Sequence, residues 1–383
     1  MKTGILFLIL FFGQRSWSYP DFIGYGYASC MTCHYNGQGN GALNDYGRAL
    51  WAAEISSRSF IDPKTSDEKL GELSGFIPSK PMPSWFRPGI KFRSLWMQTD
   101  PGSEKTVVRY ITMQASANAA IHFDQNQKLI LVGEFGYMPT NPAQANSSDK
   151  PSNWLSREHY LRWQVNDEYF TYVGFTDKVF GIRVVDHTAF NREKTGNAQN
   201  DQTHGVIVQR IAAPYEYTAH VFLGNMSQEA NLRQKGFSFM LEKDLTQYNR
   251  IGAAALTSSN EFLQWNRLEA HNKMGFGKGN SLLVELGLSQ NKPKTANAET
   301  GLYGLLEGNA LIDRGYSLFS QVEYYNQTMT TSSPDQMKWS FGLLAFPYPR
   351  CELRFTFVNG RSLTDSGVTN DLTTIHSQLH ISL

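Results

Sequence analysis

The stretch Leu129-Ile130-Leu131-Val132-Gly133-Glu134-Phe135-Gly136-Tyr137 decides the fold class of this chain. Its side chains alternate, so that Leu129, Leu131, Phe135 and Tyr137 share one face and Glu134 lies on the other. A period of two is typical of a β-strand, because successive side chains point to opposite faces of a sheet. The stretch therefore predicts a strand with an apolar face on one side and a carboxylate on the other.

The same pattern recurs along residues 89–383. Further apolar faces are formed by Phe237, Phe239 and Leu241, by Leu282, Val284, Leu286 and Leu288, and by Cys351, Leu353, Phe355 and Phe357. A soluble β-sandwich also alternates, but its solvent face favours Lys, Thr and Ser, whereas a transmembrane barrel turns its polar face to a lumen. We therefore predict a mainly β fold, a transmembrane antiparallel β-barrel of about 14 to 16 strands. A soluble sandwich or solenoid is the alternative.

Turn residues divide this region into segments. Tight connections are predicted at Asn166-Asp167, Pro214 and Pro347-Tyr348-Pro349, and longer loops at 141–153, 191–202, 291–300 and 328–336. Aromatic residues, mostly towards segment ends, would form interfacial girdles or fill a sandwich core: Tyr110, Tyr137, Tyr160, Trp163, Tyr172, Tyr217, Trp265, Tyr316, Tyr324 and Trp339. Residues 375–383 resemble the closing strand of bacterial outer-membrane barrels, although Leu383 departs from the aromatic residue common at its end.

Residues 1–18 predict a cleaved signal peptide. Met1-Lys2-Thr3 give a positive start, residues 4–13 are apolar but too short to span a bilayer, and Ser16 and Ser18 are small. An N-terminal membrane anchor or a buried strand is the alternative. We expect export, followed by a Gly-rich and then helix-like segment at 19–59, a connector rich in Pro and Ser at 60–88, and the barrel at 89–383.

The segment after the signal contains Cys-x-x-Cys-His at Cys30, Cys33 and His34, which resembles the haem-attachment sequence of c-type cytochromes. The resemblance implies one covalent haem c, with Cys30 and Cys33 as thioether donors and His34 as an axial iron ligand. A thioredoxin-like dithiol would want a βαβ context, and a zinc site would need further Cys or His nearby. A plain disulfide leaves His34 unexplained. Cys351 falls on an apolar strand face, where we interpret it as a small hydrophobe.

Two further features of the sequence suit such a haem. Leu43, Tyr46, Leu50 and Ala53 recur at helical spacing and predict an apolar helix face that could lie on the haem plane. For the second axial position, Met82 in Lys80-Pro81-Met82-Pro83 resembles the distal methionine of small cytochromes c. It could equally be an ordinary apolar residue of the connector. Alternative ligands are His122, His159 and His187, each of which requires the haem to dock inside or against the barrel.

Asp186-His187, with Arg183 and Arg192, is interpreted as a loop or constriction cluster, without the partners that hydrolysis would need. A net charge of +1 gives no strong field for nucleic acid, so we expect no nucleic-acid partner.

The combination of parts resembles porin–cytochrome modules of bacterial extracellular electron transfer. The resemblance implies a haem-binding outer-membrane barrel that transfers electrons at or across the membrane, rather than a substrate-converting enzyme. Its partners would be outer-membrane lipid and periplasmic or extracellular multihaem cytochromes, since one haem cannot conduct across about 25 Å of membrane by itself. The haem segment would lie on the periplasmic side or in the lumen. The alternative is an outer-membrane porin or transport protein whose haem is a plug or a redox or gas sensor. A peroxidase-like enzyme would need a distal His/Arg pair, which the sequence near His34 does not offer.

Overall fold

The computed structural model describes residues 21–39, 41–74, 82–102, 105–139, 153–329, 334–364 and 367–383. The predicted signal peptide lies outside the described residues. Sixteen strands, β1 to β16, form within the described part of the chain: Phe86–Asp100, Val107–His122, Leu129–Tyr137, Trp154–Gln164, Tyr169–Thr176, Thr203–Ala212, Tyr215–Gly224, Lys235–Thr246, Asn249–Ser259, Leu263–Gly275, Ser281–Pro293, Glu299–Asp313, Tyr316–Asn326, Asp335–Tyr348, Cys351–Thr364 and Gly367–Ser382.

The strands form one closed antiparallel barrel. Each strand pairs with its neighbour in sequence, and β1 pairs with β16 to close the ring. At this seam the backbone groups of Ile90 and Leu383 exchange two hydrogen bonds of 2.8 Å. The predicted fold class is thus confirmed, with the strand number at the upper end of the expected range.

The two faces of the wall separate as the period of two predicts. Leu286, Phe135 and Phe355 point outwards, and the Leu286 side chain is 60% exposed. Glu134 and Glu285 point into the barrel and are buried. Tyr110, Trp163 and Trp339 of the predicted girdles are exposed on the outside, but Tyr160 and Tyr172 are buried on the inner side, where they contact polar and aromatic neighbours. An apolar surface therefore surrounds a polar interior.

The connections differ between the two ends of the barrel. At the end where β1 begins and β16 ends, here called the proximal mouth, four connections have two residues each: 213–214, 247–248, 314–315 and 349–350. The opposite end, the distal mouth, carries the longer connections 138–153, 177–202, 225–234 and 327–334. Short connections at one end and longer ones at the other are therefore the prevailing pattern, although the distal connection 260–262 has only three residues.

Three predicted boundaries differ. The loop expected at 291–300 shrinks to 294–298, because β11 and β12 extend their pairing through its polar residues. The turn expected at 347–349 moves to 349–350, because β14 continues to Tyr348. The first strand begins at Phe86, three residues before the predicted Gly89. Most of the loop predicted at 141–153 lies outside the described residues.

Short helical elements precede and interrupt the strands. They are two 3-10 turns at Asp21–Tyr25 and Cys30–Thr32, helix α1 at Asp45–Leu50 continued by a π-turn at Trp51–Ile55, helix α2 at Asp67–Leu73, and helix α3 at Phe190–Glu193. None of the helices in the described ranges is long and apolar enough to cross a membrane.

Candidate functional site

Residues 23–39 and 41–57, here called the plug segment, lie within the proximal mouth of the barrel. Gly279 donates its backbone N–H to the carbonyl of Gly24 at 2.9 Å, and Ser57 donates to the carbonyl of Phe346 at 2.8 Å. Arg314 donates from its Nε to the carbonyl of Ser56 at 2.9 Å. The plug segment is therefore attached at both of its ends to residues of the barrel rim.

The middle of the plug segment reaches further along the inner wall. The Asn36 amide donates to Glu158 at 3.3 Å, and the Tyr35 hydroxyl lies 3.1 Å from His122 Nε2. Gly37 lies against the wall so closely that a Cβ there would stand 1.8 Å from Gln209 Oε1. Polar wall residues thus fix the glycine-rich loop that follows the Cys-x-x-Cys-His motif.

The motif itself is a compact turn held by α1. The backbone N–H of His34 donates to the carbonyl of Cys30 at 3.0 Å. Asn44 caps α1 by accepting from Gly47 N at 2.8 Å, and its amide donates to the carbonyl of Thr32 at 3.0 Å. Between them, these contacts fix the motif relative to the helix that follows it.

The connection 177–202, here called the constriction loop, folds into the barrel from the distal mouth. Ile182 N donates to Glu285 Oε2 at 2.7 Å, and the Asn191 amide donates to the same oxygen at 2.9 Å. Phe190 N donates to Glu323 of β13. Inward-facing carboxylates of the wall therefore accept from the loop backbone and hold it inside the lumen.

A cavity of about 260 Å³ separates the plug segment from the constriction loop. Cys30, Cys33 and His34 all line it. The plug segment adds apolar side chains, Ile23, Leu43, Leu50, Trp51 and Ile55, and the constriction loop adds Ile182, Val184 and Val185. The cavity therefore has apolar walls on both sides and the predicted haem motif at its edge.

Cationic side chains outnumber carboxylates around this cavity. The lining contains Lys91, Arg93, Arg157, Arg183, Arg192 and Lys273, against Glu216 and Glu242. Arg157 is 94% buried, and its Nη1 has no hydrogen-bond partner among the described residues. Burial, together with the neighbouring charge of Arg183, lowers the pKa of Arg192 to about 9. These features suit an anionic group in the cavity.

The cysteines are free thiols in this structure. Cys33 is buried, and burial raises the pKa of its thiol to about 12. Cys30 is exposed and lines the cavity, where the surrounding protein shields its thiol from bulk water and raises its pKa as well. Among the described residues, no group of three or more His, Cys, Asp and Glu side chains is arranged to hold a metal ion.

Comparisons with known proteins concern the fold. No protein-family model and no curated protein matches the sequence. The outer-membrane protein OmpT of Vibrio cholerae is 10% identical and aligns over 79% of this chain and 99% of its own, with a TM-score of 0.62. The outer membrane channel DcaP of Acinetobacter baumannii is 9% identical over 78% of this chain and 97% of its own, with a TM-score of 0.57. An anion-selective porin from Comamonas acidovorans is 9% identical and aligns over 78% of this chain and 99% of its own, with a TM-score of 0.57.

The chain has the fold of an outer-membrane porin. At these identities the likeness shows the fold alone, so any activity of the cavity has to be argued from its own residues.

Inside this porin fold, the candidate iron ligands lie in different places. His187 lines the cavity with His34. His122 is buried on the inner wall beside Tyr35, whereas His159 is exposed on the outer face and stacks on Phe175. Met82 lies near the proximal mouth just before β1 and is not among the cavity-lining residues. Its role as a ligand stays a prediction.

The predicted helix face is only partly turned to the cavity. Leu43 and Leu50 line it, but Tyr46 is 48% exposed and its hydroxyl lies 2.5 Å from that of Tyr27. Sequence reasoning missed Arg157 and His380, which also line the cavity. The alternation of side chains in β16 places His380 on the inner face and could have predicted its position, but the alternation in β4 did not predict that of Arg157.

Proposed function

We propose that this chain is an outer-membrane barrel whose lumen holds one covalent c-type haem, and that it takes part in electron transfer at or across the outer membrane. The observation that carries the proposal is the position of Cys30, Cys33 and His34, which line a single cavity between the plug segment and the constriction loop.

The lining residues fit a haem group. A haem is a flat, largely apolar ring with two propionate carboxylates. Apolar side chains of Leu50 and Ile182 stand on the two sides of the cavity, and the buried, unpartnered Nη1 of Arg157 suits a carboxylate. Cys30 and Cys33 would hold the ring by thioether bonds, and His34 would bind the iron. When bound, the group would supply a one-electron redox centre.

The orientation follows from the connections. Short turns face the periplasm and longer loops face outwards in bacterial outer-membrane barrels. The proximal mouth, with its two-residue turns and the plug segment, would therefore face the periplasm, and the exposed apolar outer face would contact lipid. A redox centre within the lumen would divide the apolar band of about 25 Å into two shorter distances. Cytochromes or soluble redox partners would be needed at both mouths.

The porin fold favours a second candidate more directly than it favours electron transfer. In that candidate the protein is a porin or transporter, and its haem is a plug or a redox or gas sensor. Solute flow would require the plug segment to move, and its hydrogen bonds to Arg314, Gly279 and Phe346 oppose such movement. For this reason we place electron transfer first.

Covalent haem is tested on protein made in a bacterium with haem-attachment machinery. We expect the purified protein to keep its haem through acid–acetone extraction and denaturing electrophoresis. The double variant Cys30→Ala, Cys33→Ala should lose that haem but still show the heat-modifiable migration of a folded barrel. Cys351→Ala is the matched control and should keep it. Wild-type protein without covalent haem would refute the proposal.

The two candidate roles are separated in liposomes. An impermeant reductant is trapped inside, and an impermeant acceptor is added outside. Electron transfer predicts reduction of the acceptor by wild-type protein and its loss in the double cysteine variant. A transport role predicts instead no difference in acceptor reduction, together with a conductance in planar bilayers that changes with the redox state of the haem.

A further inference from the structure

We infer that His187, carried by the constriction loop, is the second axial ligand of the haem iron. The inference rests on the proposed function, because it requires the haem at Cys30, Cys33 and His34.

His34 belongs to the plug segment, which fills the proximal mouth, and His187 belongs to the constriction loop, which enters from the distal mouth. Both side chains line the same cavity. Two protein ligands of one haem iron would have to come from opposite sides of the ring, and donors carried by two opposing elements are compatible with that arrangement.

Most of the competing donors around the cavity are engaged. Lys91 is paired with Glu134 at 2.9 Å, and Lys273 is paired with Glu242. His380 Nδ1 contacts Glu352 at 3.1 Å, and its Nε2 is buried and has no hydrogen-bond partner among the described residues, which leaves His380 as the competitor to be tested. Met240 packs in the apolar cluster of the wall.

His187 differs from all of these donors. Within the described ranges it makes no hydrogen bond, ion pair or ring contact, so neither ring nitrogen is taken by another residue.

The residues on either side of His187, Asp186 and Thr188, are held by hydrogen bonds. Asp186 Oδ1 accepts from the backbone N–H of Thr188 at 2.8 Å and from its hydroxyl at 2.7 Å. Lys338 of β14 donates to the carbonyl of Thr188 at 2.9 Å. A ligand on such a segment loses little conformational entropy when it binds. Met82 has no comparable position at the cavity.

The test compares four variants of the haem-loaded protein in detergent. In the wild type we expect ferric low-spin electron paramagnetic resonance and a near-infrared magnetic circular dichroism band of the two-histidine type. His187→Ala should lose the low-spin signal, bind carbon monoxide when reduced, and regain the wild-type spectrum when imidazole is added. His187→Met should shift the near-infrared band to the position of sulfur–iron ligation. Met82→Ala and His380→Gln should keep the wild-type spectrum.

Three results would overturn the inference. They are a low-spin spectrum that persists in His187→Ala, a sulfur–iron band in the wild type that Met82→Ala abolishes, and a wild-type iron that is high-spin and binds carbon monoxide. Heat-modifiable migration checks that each variant is folded, and His187→Met supplies an independent reading if His187→Ala fails that check. Wild-type protein without covalent haem would refute the proposed function itself, so the two failures are distinguishable.

Discussion

The Nε of Arg314 lies 2.9 Å from the carbonyl oxygen of Ser56, and the same guanidinium reaches the carbonyl of Ala53. A turn of the barrel rim therefore holds the end of the plug segment. Arg314→Ala removes charge-assisted hydrogen bonds of about 1.5–3 kcal/mol. We expect larger or more frequent conductance steps in planar bilayers. Arg361→Ala, which removes an exposed ion pair with Asp371, is the control. Equal conductance in both variants would mean that Arg314 does not retain the plug.

A second prediction concerns the close approach of α1 to the haem motif. A Cβ on Gly47 would lie 2.4 Å from the carbonyl oxygen of Cys33. Gly47→Ala should therefore displace the motif at a cost of about 1–3 kcal/mol. In protein made without haem attachment and lacking Cys30 and Cys351, we expect maleimide to label Cys33 severalfold faster. Gly71→Ala, whose new Cβ would meet Ala49 at an ordinary 3.6 Å, should leave the rate unchanged.

A third prediction concerns charge balance on the inner wall. Glu242 lies 3.0 Å from His271 Nε2 and 3.2 Å from Arg250 Nη1, and it also pairs with Lys273. Glu242→Gln leaves these cations without their shared carboxylate, which costs roughly 3–5 kcal/mol for a buried pair. The temperature at which the folded band converts to the unfolded band in electrophoresis should fall clearly. The exposed Glu229→Gln should not change it.

A fourth prediction tests whether the outer face lies in lipid. Leu286 is at the middle of β11 and Leu245 is near the proximal end of β8, and both are exposed. Arginine on the lipid face costs about 2–4 kcal/mol at the bilayer midplane and about 0–1 near the interfaces. Leu286→Arg should therefore reduce the yield of folded barrel in lipid vesicles much more than Leu245→Arg. Equal yields would argue against a membrane-spanning orientation.

The strands and their faces could be predicted from sequence because they depend on a local period. The alternation puts Leu131, Phe135 and Leu286 on apolar faces, which are the outer face of the barrel, and it puts Glu134 on the opposite, inner face. The alternation of neighbouring positions is enough to assign these side chains to their faces. Strands β11 and β14 extend into the predicted turns, because Asn291 pairs with Glu299 and Tyr348 pairs with Cys351, while Pro347 falls in an irregularity between the paired residues Ala345 and Tyr348.

The cavity could not be predicted in the same way. Arg157 faces inwards because a β-bulge offsets β3 from β4 between Glu134 and Phe135, so that Arg157 and Glu158 are buried in succession. Strict alternation would assign Arg157 and Glu158 to opposite faces, so it misplaces one of these two residues. The contact of Asn36 with Glu158 joins distant parts of the chain, and nothing in either local sequence indicates it. The depth of the plug segment in the lumen follows from such contacts.

The seam between Ile90 and Leu383 has a consequence for the order of assembly. It joins the first strand to the sixteenth, the pairing with the greatest loop-closure cost, so we expect it to form last. The plug segment lies before the first strand in the sequence, separated from it by residues 58–85, and it is hydrogen-bonded to residues late in the chain. Until the seam closes, the lumen is an open trough that can receive this segment from the side. After closure the wall surrounds the plug segment. We therefore expect the plug segment to occupy the lumen only if it folds against the sheet before the ring closes.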